Sequence, residues 1–117
     1  MKLINYLRPE YIAIGLDSES KEDLLDAMID LAAKNPFMLD KEKARTAIIE
    51  RERIMSTGVG KGFAIPHGKT DAVSDIILAF AVTKKPVDYA AMDNEPVRLV
   101  LLLISRDSVV GTRLKLL

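Results

Sequence analysis

The sequence predicts an α/β fold, in which a mixed β-sheet is flanked by helices within a single sandwich domain. Two apolar runs, at residues 76–82 and 97–104, are nearly free of polar side chains, as expected of strands covered on both faces. Two upstream segments, at about residues 20–34 and 40–55, instead show apolar residues at helical spacing. Helices and strands therefore interleave, and the length of 117 residues suits one domain, residues 1–117.

The first half of the chain contains a predicted strand and a predicted helix. Apolar residues alternate over residues 12–16, which is the period of a strand. Ser20 followed by Asp23 resembles a capping box, and apolar residues recur after it at helical spacing. Pro36 cannot continue a helix, so we expect this helix to end near residue 34.

A second helix is predicted to begin after Asp40, whose side chain can cap it. Arg51 interrupts the apolar stripe of this helix. Its guanidinium could satisfy carbonyl groups at the helix end, or it could bind a ligand anion, and the sequence leaves both interpretations open. By i, i+3 and i+4 spacing, the inner face consists of Ala44, Ala47, Ile48, Arg51 and Met55.

The second half of the chain is predicted to build most of the sheet. Residues 62–65 predict a short strand that ends at Pro66. The two apolar runs form the centre of the sheet, and turns are expected at residues 84–86 and 93–96, each of which contains proline. Residues 112–117 begin another amphipathic pattern of helical type.

The composition excludes several classes of function. The chain has 17 basic and 17 acidic side chains and a pI near 6.6, so no global charge favours nucleic acid. It has no cysteine, which excludes disulfides and thiolate zinc sites. Its apolar runs are too short to span a bilayer, and its N-terminus lacks the apolar core of a signal peptide. We therefore expect a soluble, cytoplasmic protein.

The most unusual local sequence surrounds His67, the only histidine, which lies between Pro66 and Gly68. Three glycines occur just before it in a glycine-rich segment (residues 58–62), and glycine permits positive φ and close approach of the backbone to a ligand. An isolated histidine in a loop is usually only a solvated or hydrogen-bonded side chain. The flanking glycine and proline nevertheless favour a functional role for this one.

The chemistry that a single imidazole performs best is nucleophilic. A neutral imidazole can carry a covalent phosphoryl group at cytosolic pH. Transfer of that group needs positioning and charge neutralisation, which arginine, lysine and backbone N–H groups provide, and it needs no dissociable cofactor. The candidates are Arg51, Lys61, Lys69 and the amides of the glycine-rich segment and of Gly68.

Other types of site fit the sequence less well. The glycine-rich segment follows a predicted helix and precedes a strand, and its spacing matches neither the dinucleotide fingerprint nor a Walker A loop. A metal site would have to combine His67 with Asp71 or Asp75, which is a weak ligand set. Ser56 or Thr57 could be a nucleophile with His67 as its base, but neither lies in a nucleophile elbow.

Several motifs together resemble a known family, the fructose/mannitol-type IIA domains of the bacterial phosphoenolpyruvate-dependent sugar phosphotransferase system, which include the nitrogen-regulatory IIA proteins. The resemblance extends over nearly the whole chain, and the run that ends in Pro66-His67-Gly68 is its most specific part. The matching stretches are Arg51-Glu52-Arg53, residues 56–62, residues 64–69, Lys85-Pro86-Val87 and residues 93–97 with the apolar strand that follows.

The resemblance implies a phosphotransferase component with a phosphohistidine intermediate. His67 would accept a phosphoryl group through Nε2 from the carrier HPr or a homologue, and would pass it to a IIB domain. Arg51 would help to hold the group, and Thr57, Gly68 and Arg113 are further candidates for binding it. Contact with the membrane would be indirect, through the IIC component, and the sugar would be chosen there.

Two departures from the family pattern affect these expectations. Family members commonly carry a second histidine in a His-Leu motif, and that position reads Arg113-Leu114 here. Family domains also continue with about two further helices, so we expect a C-terminally truncated domain with one sheet face open. A regulatory IIA protein, whose phosphorylation state controls partner binding, is the alternative function, and an inert structural domain is the weaker third.

Overall fold

The computed structural model describes residues 3–107, and these form a six-stranded mixed sheet with two α-helices. This confirms the predicted fold class. The predicted amphipathic segment at residues 112–117 lies outside the described residues. The elements are two 3-10 helices, Leu3–Tyr6 and Pro9–Tyr11, strand β1 (Ile12–Leu16), helices α1 (Lys21–Ala32) and α2 (Lys41–Ile54), and strands β2 (Gly58–Gly60), β3 (Phe63–Ala64), β4 (His67–Lys69), β5 (Ile77–Val87) and β6 (Val97–Ser105).

Each α-helix begins at the predicted capping residue. The backbone N–H of Asp23 donates to Ser20 Oγ at 3.1 Å, and that of Lys43 donates to Asp40 Oδ1 at 3.1 Å. These bonds satisfy N–H groups that have no partner within the first helical turn. Within residues 3–107, neither helix is long and apolar enough to cross a membrane.

The two longest strands, β5 and β6, pair antiparallel at the centre of the sheet, and the order of strands is β1-β5-β6-β3-β2. Strands β3 and β4 both run parallel to β6, one after the other, with Phe63 opposite Leu99 and His67 opposite Leu103. The interruption between them contains Pro66, which has no N–H to donate to a ladder. Its carbonyl still accepts the Leu103 N–H at 3.0 Å, so the chain stays beside β6 and His67 begins a new strand.

The main core lies between the sheet and the two helices, which pack on the same face of the sheet. Helix α1 contributes most of the helical core residues, and α2 contributes Ala44 and Ile48. Strands β5 and β6 contribute the sheet side of this core. Two of the residues from β5 are the small Ala79 and Ala81, which allow the helices to approach the sheet closely. The largest fully buried residues of this core are Tyr89, Leu24, Met28, Ile29, Ile48, Ile77, Leu102, Ile104 and Val73.

The opposite face of the sheet carries a second, smaller apolar cluster. It consists of Ile76, Leu78, Leu101 and Leu103, with partly buried side chains packed around it from the first 3-10 helix and from β3 and β5. On the edge strand β1, Ile14 is 76% exposed. Within residues 3–107, both α-helices therefore cover one face only.

Two local predictions were wrong. The expected turn at residues 84–86 is instead part of β5, which continues to Val87 and pairs there with Val97 after a shift in register. The shift leaves Pro86 out of the pairing, so its missing N–H costs no ladder bond. Met55 was placed on the inner face of α2, but it lies just beyond the helix with extended backbone and is 58% exposed.

Candidate functional site

His67 is half-buried at the start of β4, and one hydrogen bond orients its ring. Its Nδ1 lies 2.9 Å from the carbonyl oxygen of Ile65. A carbonyl oxygen only accepts, so Nδ1 must carry the proton, and the lone pair of the neutral ring is then on Nε2. The backbone two residues upstream thereby selects the tautomer whose Nε2 is nucleophilic.

Gly68 lets helix α2 pack directly against β4. A Cβ atom at this position would lie 3.0 Å from Ile48 Cδ1 and 3.4 Å from Ala47 C. Side chains alternate along a strand, so His67 and Lys69 project on the side of β4 opposite to α2. The site histidine therefore lies on the far face of a strand whose near face carries the helix.

The backbone of Gly68 is engaged in the sheet. Gly68 pairs with Ile104 in the parallel ladder, between the bonds from Leu103 N to Pro66 O and from Thr70 N to Ser105 O. In this register the backbone groups of Gly68 face β6. The amide that was considered for phosphoryl binding is thus taken up by the sheet, and what the structure requires of Gly68 is space for α2.

The glycine-rich segment forms a tight hairpin between β2 and β3. Gly60, Lys61 and Gly62 all have positive φ, of 102°, 56° and 82°. The Lys61 N–H donates to Asp93 Oδ2 at 2.9 Å, and this bond lowers the pKa of the Asp93 carboxyl. The Asp93 carboxylate therefore already accepts the Lys61 N–H, and its negative charge disfavours the binding of another anion at this turn.

Arg51 is half-buried on α2, and its Nη1 donates to the Met55 carbonyl oxygen at 2.8 Å. The interpretation in which the guanidinium satisfies a carbonyl at the helix end therefore describes this structure. Two residues further on, the Thr57 carbonyl accepts the Ile65 N–H at 3.0 Å, and Ile65 in turn orients His67. Within residues 3–107, no hydrogen bond joins Arg51 directly to His67.

Thr57 is buried, with 4% of its surface exposed, and both of its donors go to Glu52. Its N–H donates to Glu52 Oε2 at 2.8 Å, and its hydroxyl donates to Oε1 at 2.6 Å. Thr57 was considered as a phosphoryl ligand, but in this structure neither of its hydrogen atoms is available to a ligand. Its contribution to the site is to hold the chain between α2 and β2.

Sequence reasoning missed the buried cluster around Thr57, which we call the Glu52 cluster (Lys21, Glu52, Thr57 and Tyr89). Lys21 Nζ lies 2.9 Å from Glu52 Oε2 and 4.5 Å from the centroid of the Tyr89 ring. The Tyr89 hydroxyl lies 3.2 Å from Glu52 Oε1 and 3.0 Å from Thr57 Oγ1. A signal was available, because Glu52 follows Ala44 and Ile48 at spacings of four along the buried face of α2.

The cluster shifts the pKa values of two of its members. Burial raises the pKa of Glu52, but the hydrogen bonds from Thr57 and the ion pair with Lys21 outweigh it, so the net pKa is lowered. Burial is also the main cause that raises the pKa of the Tyr89 hydroxyl, with Glu52 adding to it. Glu52 is therefore a charged carboxylate in the folded protein at neutral pH, although only 8% of its surface is exposed.

The remaining candidates lie apart from these contacts. Lys69 is exposed, on the same side of β4 as His67. Asp71 is exposed and paired with Lys43, and within residues 3–107 no three histidine, aspartate or glutamate side chains group as metal ligands would. Arg113 lies outside the described residues, so its place relative to His67 stays a prediction.

Comparison with known proteins decides the family. The model of the family described as "Phosphoenolpyruvate-dependent sugar phosphotransferase system, EIIA 2" matches residues 5–117. The chain belongs to this family. Its relatives include a fructose-specific EIIABC component of Bacillus subtilis, 34% identical over 117 residues, and a fructose-specific EIIA component of Haloferax volcanii, 38% identical over 95 residues. The matches cover 100% and 81% of the chain, but only 18% and 62% of those relatives' own lengths.

Nitrogen regulatory members of the family match this chain at a level of identity similar to that of the fructose-specific relatives. A nitrogen regulatory protein of Bradyrhizobium diazoefficiens is 34% identical over 119 residues, which is 100% of this chain and 76% of that protein. Among solved structures, the nitrogen regulatory protein IIA-Ntr of Neisseria meningitidis superposes with a TM-score of 0.85 at 30% identity, over 95% of this chain and 75% of that one. The mannitol IIA structure from Escherichia coli, at 22% identity and a TM-score of 0.80 over 93% of this chain and 78% of that one, shows the same fold.

Proposed function

We propose that the chain is a phosphocarrier in which His67 Nε2 accepts a phosphoryl group from an HPr-like protein and passes it to a IIB domain. The observation that carries this proposal is the bond between His67 Nδ1 and the Ile65 carbonyl, because it leaves Nε2 with the lone pair. Membership of the EIIA family supplies the reaction class. The protein would work in the cytoplasm and would meet the membrane only through a IIC component.

The same hydrogen bond also assists the transfer itself. As the Nε2–P bond forms, the N–P bond of the donor histidine breaks, and the donor imidazole leaves with that electron pair and takes up a proton. The ring of His67 gains positive charge, and the Ile65 carbonyl, 2.9 Å from Nδ1, lies where it stabilises that charge. In the second step, a nucleophile of the IIB domain attacks phosphorus and the Nε2–P bond breaks, which returns His67 to its neutral form.

The phosphoryl oxygens also need cationic partners. Arg51 lies on α2, across β4 from His67, so it would have to leave the Met55 carbonyl and reach around the end of the helix to a phosphoryl oxygen; a guanidinium can bind two such oxygens at once. Arg113 is proposed as a second cation, at the position where relatives commonly carry histidine. It would hold phosphate more firmly than a neutral imidazole but could not share a proton with His67.

Reconstitution with phosphoenolpyruvate, enzyme I and HPr tests the acceptor. We expect about one acid-labile phosphoryl group per chain, and none in His67→Ala. Phosphorus–nitrogen coupling in the NMR spectrum of ¹⁵N-labelled protein should place the group on Nε2. Stoichiometric labelling of the His67→Ala variant, or coupling to Nδ1 in the parent, would contradict the proposal.

The role of Arg51 is tested by Arg51→Lys, with Arg53→Lys as the matched control, because Arg53 is exposed on the same helix. Lysine keeps the charge but loses the planar pair of donors, so we expect the rate of phosphorylation to fall about tenfold or more in the first variant only. Equal rates in the two variants would show that Arg51 acts only as a cap for α2.

A regulatory role is the second candidate, because nitrogen regulatory relatives match the chain over its full length and share its fold. In that role, His67 would still accept the phosphoryl group, but its phosphorylation state would control the binding of partner proteins. Onward transfer separates the two functions. Rapid transfer to a fructose-type IIB domain supports transport, whereas a stable phosphorylated protein that ignores IIB supports regulation.

Arg113→His compares the two half-reactions under either function. If arginine strengthens phosphate binding, the parent accepts the group faster and passes it on more slowly than this variant. Unchanged rates in both half-reactions would remove Arg113 from the proposed site.

A further inference from the structure

The Glu52 cluster connects four separate parts of the fold. Lys21 is the first residue of α1, Glu52 lies in the last turn of α2, Thr57 precedes β2, and Tyr89 follows β5. Tyr89 is fully buried, and the side chain of Lys21 is only 20% exposed. The central carboxylate accepts the hydroxyl and amide of Thr57 and the Lys21 ammonium, all within 2.9 Å.

A short route of hydrogen bonds leads from this cluster to the site histidine. Glu52 holds Thr57 by both its N–H and its hydroxyl. The Thr57 carbonyl accepts the Ile65 N–H at 3.0 Å, and the Ile65 carbonyl accepts from His67 Nδ1 at 2.9 Å. Any movement of Thr57 therefore moves the carbonyl group on which the tautomer and orientation of His67 depend.

We propose that Glu52 is a positioning residue for phosphoryl transfer: by fixing Thr57, it holds the Ile65 carbonyl where it keeps the proton of His67 on Nδ1. This inference rests on the proposed function, and it adds a residue that touches neither the phosphoryl group nor the imidazole. Glu52 acts through the backbone of Thr57 and Ile65. Lys21 and Tyr89 assist by holding the carboxylate itself.

The chemistry of the cluster favours this role over simple packing. Well-packed apolar residues can replace a buried ion pair with no loss of stability, so stability alone does not explain a charged group here. A carboxylate has two acceptor oxygens, and this one uses both on Thr57, which fixes that residue in position and orientation. Only three residues, 55–57, connect α2 to β2, so the bonds to Glu52 determine where this connection lies.

The tautomer of His67 gives a direct test that needs no partner protein. With ¹⁵N-labelled protein in mildly alkaline solution, we expect the parent to hold its proton almost wholly on Nδ1. Glu52→Gln replaces one acceptor oxygen by an NH2 group and removes the charge that binds Lys21. One of the two Thr57 hydrogen bonds must then be lost or reversed in direction, and we expect a mixture of tautomers. Glu42→Gln is the matched control, because Glu42 is exposed in the first turn of the same helix and should leave the nitrogen shifts unchanged.

The kinetic test uses the transfer from phospho-HPr. We expect the maximal rate of Glu52→Gln to fall about tenfold to a hundredfold, with little change in KM, since small displacements at a reacting group slow the chemical step. Rates are corrected for the folded fraction measured by urea unfolding. A purely structural role predicts lower stability with parental nitrogen shifts and parental corrected rates, and this result would overturn the proposal.

If Glu52→Gln does not fold, the pair Thr57→Ser and Thr57→Val replaces it. Serine keeps the hydroxyl bond to Glu52 and valine loses it at nearly the same volume, so only valine should shift the tautomer and slow the transfer. Equal nitrogen shifts and rates in these two variants would overturn the proposal in the same way. If the parent shows the single Nδ1–H tautomer but takes up no phosphoryl group from phospho-HPr, the proposed function is refuted, while the tautomer measurement still tests Glu52.

Discussion

Replacing Gly68 by alanine should loosen the contact between helix α2 and the strand that carries His67. The new Cβ would lie 3.0 Å from Ile48 Cδ1 and 3.4 Å from both Ala47 C and Ile48 N. Carbon atoms prefer about 3.5–4.0 Å, so α2 must retreat by about half an ångström or Ile48 must leave its rotamer. Ile48 is 1% exposed, so its side chain cannot turn out into solvent without leaving the core.

The expected cost follows from two opposing effects. Overpacking of a buried contact costs about 1–3 kcal/mol. Alanine also restricts the unfolded chain, which returns about 0.4–1 kcal/mol, because Gly68 does not need a positive φ. We therefore expect Gly68→Ala to lower the free energy of unfolding by about 1–2 kcal/mol.

A double-mutant cycle measured by urea unfolding checks the reasoning. Ile48→Val deletes the Cδ1 atom and by itself costs about 0.5–1.5 kcal/mol. In that background the 3.0 Å contact no longer exists, so Gly68→Ala should cost at least about 0.5 kcal/mol less than in the parent. Equal costs in both backgrounds, or a stabilising effect in the parent, would refute the argument that Gly68 makes room for Ile48.

Three further predictions concern the surroundings of the site. Gly58→Ala should destabilise more than Gly68→Ala, since its Cβ would lie 2.7 Å from Ala91 Cβ and 3.0 Å from the Ala91 Cα, and thermal unfolding measures this. Asp93→Asn should lower the urea midpoint by less than either glycine substitution, because it only weakens the side-chain oxygen that accepts the Lys61 N–H in the β2–β3 turn. An unchanged midpoint would show that this hydrogen bond does not stabilise the turn. The pKa of Glu52 is lower in the folded protein than its ordinary value of about 4.5. The charged carboxylate therefore contributes its full stabilisation above that ordinary pKa and loses it as pH falls through the pKa of the folded state. The difference in unfolding free energy between the parent and Glu52→Gln should shrink below about pH 4.5 and stay constant above about pH 6.

The elements that the sequence predicted correctly depend on neighbours within a few residues. Ser20 and Asp40 cap the helices because each accepts the N–H three residues ahead. The predicted turn at residues 84–86 failed for the opposite reason. Pairing with β6 extends β5 through this stretch and overrides the local preference of Lys-Lys-Pro.

Some features of the candidate site are visible in the sequence and others only in the structure. The setting of His67 between proline and glycine is visible in the sequence, whereas its position at the start of β4 comes from the structure. The partners of Arg51 and Thr57 are not visible there. Arg51 was compatible with a helix-end carbonyl or with an anion, and only the fold shows its bond to Met55.

The sequence by itself determined the α/β class and the helix starts, and it singled out His67 as the candidate acceptor, because periodicity, capping and residue chemistry are properties of short stretches. Only the tertiary structure decided that position 68 needs a glycine beside Ile48 and that Glu52 is buried against Tyr89. These features arise where segments distant in the chain meet. Their hydrogen bonds and contacts depend on distances of a few tenths of an ångström, which no local pattern encodes.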